Sequence, residues 1–151
     1  MKSYAKLVLM VAFAVLFVST FAAADTPGAH PAYLHALTDL RGARSLLAVE
    51  TGSYRLNANE KYAIEGIDAA MQVLRDAAIN DGKSLSDHPP LDSGWSRTDR
   101  LHRAYDLLAG AARDIDQRES DNFANGLKHR ALRHIGDSMK AVQAAIDGAG
   151  R

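Results

Sequence analysis

Apolar residues recur three and four positions apart in four separate stretches of this chain, and that spacing makes amphipathic helices. No stretch shows the strict alternation or the Val/Ile/Thr enrichment of a strand. The first helix is expected over 31–51: Pro31 suits an opening turn, and Tyr33, Leu37, Leu40, Ala43 and Leu47 share one face. The second is expected over 58–81, from the capping pattern Asn57 with Glu60, along Ile64, Ile67, Met71, Leu74 and Ala78. Ser96 with Asp99 opens a third over 97–118, carrying Leu101, Tyr105, Leu108, Ala112 and Ile115. A fourth, 121–147, follows Phe123 and Leu127 with Leu132, Ile135, Met139, Val142 and Ile146.

Ahead of these, Lys2 and Lys6 precede an almost unbroken apolar run from Leu7 to Phe17, and Ala22-Ala23-Ala24 gives a small-x-small site. This reads as a secretory signal peptide, residues 1–24, cleaved between Ala24 and Asp25, because the run is short for a membrane span of about 20 residues. The mature chain, 25–151, is then expected in the periplasm or outside the cell, without a stable membrane anchor. Four one-stripe helices make an all-α, up-down-up-down antiparallel four-helix bundle the predicted fold, as one domain. The loop 83–95 holds Pro89, Pro90 and the one tryptophan, Trp95, and is expected to cap the bundle end with Trp95 tucked inward.

Charge excludes several function classes. Lysines and arginines number 18, of which Lys2 and Lys6 fall in the leader, against 18 acids, so the mature chain carries about −2 with His neutral. No bulk charge calls for nucleic acid. The chain has no cysteine, which removes disulfides, thiolate metal sites, Cys nucleophiles and c-type haem attachment. Its serines sit in no strand-turn-helix elbow, no phosphate-cradling glycine loop is present, and carboxylates such as Asp114, Asp116 and Asp147 fall on exposed helix faces. An enzyme is not expected.

Six histidines are the polar residues best suited to a transition metal. In the predicted topology His30, His35, His88 and His102 lie at one end of the bundle, where they form a candidate copper, nickel or zinc site with Asp87 or Asp92 as oxygen donors. Asp39 and Asp106, one turn beyond His35 and His102, are the expected orienting carboxylates. Helical phase places His35 nearly opposite its helix's apolar stripe and His102 at the flank of its own. His129 and His134 sit in a basic stripe with Lys128, Arg130, Arg133 and Lys140 that reads as a solvated face, with His134 at the core edge. Arg44 projects near the apolar stripe of the first helix and needs a partner, for which Glu60 is the candidate.

The leader, the four helices, Arg75-Asp76-Ala77-Ala78, then Pro89-Pro90, then Leu101-His102-Arg103 resemble the soluble periplasmic b-type cytochromes. That resemblance implies haem held between a methionine early in helix 1 and a histidine late in helix 4. The mature chain's methionines are Met71 and Met139, both on apolar stripes, and no histidine follows His134, so the axial ligands are not matched. The repeated Leu-Thr-x-x-Gln signature of helical periplasmic stress chaperones is absent. The expected function is binding without catalysis, of a partner protein or a small ligand. The alternative is a transition-metal-binding protein using the histidine end, and the third reading is a b-type haem protein. Ala-rich faces on helices 3 and 4 would also permit a homodimer.

Overall fold

A computed structural model describes residues 31–50, 52, 54–76, 94–116 and 122–149. Four helices account for almost all of them: α1 (Pro31–Leu47), α2 (Ala58–Asp76), α3 (Arg97–Ile115) and α4 (Asn122–Ala149). No strand occurs among the described residues. The expected leader 1–24, His30, His88, Asp87, Asp92, most of loop 83–95 and the expected helical turns at 77–81 and 117–118 lie outside them.

Helix starts follow the sequence closely because capping is local. The Asn57 side chain accepts from the Glu60 amide at 2.9 Å, and the Glu60 carboxylate accepts from the Asn57 amide at 2.9 Å. Ser96 and Asp99 repeat the arrangement at α3, each accepting from the other's amide at 3.2 Å. α1 ends four residues earlier than expected, and the chain then turns through Gly52, whose φ of 57° favours a residue without Cβ.

The buried stripes carry the expected large residues on α1, and Ile67, Met71 and Leu74 on α2. On α4 the buried face is rotated relative to expectation. Ala131, Ile135, Ser138, Val142 and Ala145 are fully buried, while Leu132, Met139 and Ile146 pack at its edge. Close approach explains the rotation. On α2 a Cβ at Gly66 would collide with the Ser138 hydroxyl and lie 3.3 Å from the His134 carbonyl, so only small residues fit along this seam. Ser138 shares its hydroxyl proton between the His134 carbonyl at 2.9 Å and, across the seam, the Ala63 carbonyl at 3.0 Å.

The same device joins α1 to α3. Gly42 faces Leu107, Gly110 faces Asp39, and His35 meets Asp114, so these two helices run antiparallel. α2 and α4 form the other close pair, α3 and α4 pack less extensively, and α1 and α2 least. The diagonal pairs have no close backbone approach. Arg97 at the start of α3 reaches Glu60 at the start of α2, so these consecutive helices point the same way. The order is therefore up-down-down-up, with every neighbouring pair antiparallel, and not the up-down-up-down order expected from the connections. The physical reason is side-chain size, since the glycine, alanine and serine positions select α1–α3 and α2–α4 as the close pairs.

Trp95 packs half-buried against the core, as expected. Beside it the end of the bundle is closed by a polar network around Glu60, which is only 2% exposed. Its carboxylate accepts from Tyr54, from the Asn57 amide and from Arg97 Nε at 3.1 Å, while the Arg97 guanidinium also lies 4.9 Å over the Tyr54 ring. Burial, then the Glu60 bond, pushes the Tyr54 hydroxyl above its usual range. Glu60 is therefore not the partner of Arg44. Arg44 instead makes a two-pronged bond to Asp68, at 2.6 and 3.2 Å, which holds its guanidinium protonated beyond the ordinary arginine range.

Candidate functional site

The antiparallel α1–α3 seam builds the polar cluster of interest. On α1, His35 and Asp39 are one turn apart and project from the same side. On α3, Asp114 and Gly110 are likewise one turn apart and face them. His35 Nδ1 donates to Asp114 Oδ2 at 2.5 Å, a short, charge-assisted contact. One ligand atom from each of His35, Asp39 and Asp114 lies within 4.8 Å of the others. Gly110 makes the third side possible, because a Cβ there would stand 2.8 Å from Asp39 Oδ2.

Solvent reaches the three groups unequally. The His35 side chain is 69% exposed and that of Asp114 25%. The bond to Asp114 holds the His35 imidazole above the usual histidine range, and Asp39 adds to the effect. Asp39 is itself pushed up, first by partial burial and then by the Asp114 charge, against the opposing pull of His35, Arg103 and Arg113. Two carboxylates and one imidazole thus converge on one side of the seam.

Of the histidines singled out from sequence, His35 joins this cluster and His102 does not. His102 lies on α3 near the Glu60 end, about 18 Å further along the bundle at 1.5 Å per residue, and is exposed. The expected gathering at one end therefore fails for this pair, because α1 and α3 run in opposite directions. Asp106 is exposed beside His102, whereas Asp39 lies in the cluster with His35 and Asp114. The sequence places Asp114 on an exposed helix face, yet its side chain is only 25% exposed because it meets His35, a partner 79 residues away that no local pattern reveals.

Elsewhere, His129 is exposed and His134 half-buried at the core edge. Lys128 is buried beneath the end of α3, donating to the Asp116 carbonyl at 3.0 Å and lying 3.3 Å from its carboxylate. An open groove between α3 and α4 is lined by Tyr105, Gly136, Met139, Lys140, Gln143 and Asp147. No helix among the described residues is long and apolar enough to cross a membrane. No known protein family, curated protein or solved structure matches the chain.

Proposed function

We propose that this is an exported, non-enzymatic bundle protein that works by binding a small cationic ligand at the α1–α3 seam. The observation that supports it is the convergence of His35, Asp39 and Asp114 within 4.8 Å from two helices. Two carboxylates supply anionic donors beside the imidazole, which suits a cationic ligand even with Arg103 and Arg113 offsetting part of their charge. It opens toward solvent rather than into a deep cleft, which suits reversible capture more than the water exclusion used in catalysis. Export rests on the basic start, the apolar run and the alanine triplet of residues 1–24.

Mass spectrometry of the protein purified from the periplasm without chelators tests this reading. The folded species is expected to carry non-protein mass that the denatured chain lacks, and a D39N/D114N variant is expected to lose it. A folded mass equal to the chain alone would overturn the proposal. So would a protein partner retained regardless of those two carboxylates, which would move the function to another surface.

A further inference from the structure

We propose that the ligand is a divalent first-row metal ion of the zinc, nickel or cobalt kind, held by His35 Nδ1, one Asp39 oxygen and one Asp114 oxygen. This inference rests on the binding reading above and gives it a chemistry. One borderline nitrogen and two hard oxygens match such ions. Calcium favours six to eight oxygens, and cuprous ion favours sulfur, so neither fits this donor set.

The spacing of the donors also fits. An ion about 2.1 Å from each donor needs the donors roughly 3.0 to 3.5 Å apart. The His35–Asp114 contact of 2.5 Å must open by about 0.5 to 1 Å. The widest separation, which is at most 4.8 Å, must close by up to about 1.3 to 1.8 Å. Side-chain rotation achieves both, because His35 is mostly exposed. The backbones need not move. His35 and Asp39 are fixed one helical turn apart, and the close seam at Gly110 holds the Asp39 carboxylate toward its partners. Three donors on one side leave the remaining coordination positions to water.

Arg103 and Arg113 act on the Asp39 carboxylate through their charge. They offset part of the cluster's negative potential and limit how tightly the ion is held. Gly110 is the residue that joins fold to site. Alanine there would force the Asp39 carboxylate away from the other two donors while satisfying the helix backbone equally well.

Titration calorimetry of the mature protein with zinc, nickel and cobalt chlorides, together with the visible absorption of the cobalt form, tests the proposal. One ion is expected per chain, with binding weakened at least tenfold in each of H35A, D39N and D114N, and in G110A. The cobalt spectrum should report mixed nitrogen and oxygen ligation, and thermal melting of the isosteric Asp→Asn variants shows that they remain folded. Absence of binding up to about 1 mM, or binding indifferent to D39N and D114N, would overturn the metal assignment. If a non-metal adduct still depends on those carboxylates, the metal inference fails while the binding reading stands. If neither metal nor adduct is retained, both fail.

Discussion

Replacing Gly66 with alanine is the sharpest test of how the bundle is held together. In an isolated helix this substitution stabilises by about 1 kcal/mol. Here the added methyl would run into the Ser138 hydroxyl, which is fully buried and bonded to the Ala63 and His134 carbonyls. Moving that hydroxyl loses hydrogen bonding worth about 1 kcal/mol. Overpacking the seam costs about 2 kcal/mol more. The expected result is a net destabilisation of about 2 kcal/mol, or a fall in Tm of roughly 6 to 10 °C for a domain of this size. Removing the obstacle should reverse the sign of the effect. In G66A/S138A the new methyl meets only the residue 138 Cβ at 3.6 Å and the His134 carbonyl at 3.3 Å. The double variant should therefore exceed G66A in stability by about 2 kcal/mol, and urea unfolding of all four proteins measures the coupling between the two positions, about 3 kcal/mol once the roughly 1 kcal/mol lost in S138A alone is taken into account. A G66A protein as stable as the parent, or a double variant no better than G66A, would refute the close-packed seam.

Glu60→Ala should cost about 2 to 4 kcal/mol in chemical denaturation, because it removes a cap and leaves the Arg97 guanidinium, itself 24% exposed, without its carboxylate. Breaking the exposed-edge pair with Arg44→Met should cost about 1 kcal/mol or less by the same assay. In the metal-free protein, NMR titration of His35 should show a midpoint above the ordinary histidine value that falls back in D114N. Because the folded value is raised, the pair stabilises fully below the unfolded pKa of 6.5 and its contribution disappears as pH rises through the folded value. Solvent screening keeps that contribution to a few tenths of a kcal/mol at about neutral ionic conditions. Arg113→Gln should tighten cobalt binding by roughly 2- to 5-fold, since it removes a cation that acts on Asp39.

Much of the fold was legible because it is written locally. Reciprocal caps at Asn57/Glu60 and Ser96/Asp99 involve residues three apart, and the large apolar positions mark the buried faces of α1, α2 and α3, whereas on α4 alanine and serine positions take much of that face. The order of helix pairing was not legible from connection length, because it is decided by where two backbones can approach. Gly42, Gly66, Gly110 and Ser138 record that approach, yet nothing in the sequence says which residue each will face. The site divides in the same way. His35 and Asp39 were recognisable as a pair one turn apart, whereas Asp114 acquires meaning only once α1 and α3 are known to be antiparallel. The Arg44 partner was misassigned for a related reason: Glu60 is taken up by its own cap and by Arg97, leaving Asp68 to meet the guanidinium.

The interleaving of the close pairs has a consequence for how the chain reaches its folded state. Each half, α1–α2 or α3–α4, contains one helix from each close pair, and α1 and α2 pack on each other least. Formation of the α1–α3 seam joins residues such as His35 and Asp114, 79 positions apart, so the entropy of closing a long loop precedes the reward of packing. The bundle should therefore fold more slowly than one made of successive hairpins. Each half expressed alone should stay largely unstructured, while the two halves mixed should reconstitute the bundle through their complementary faces.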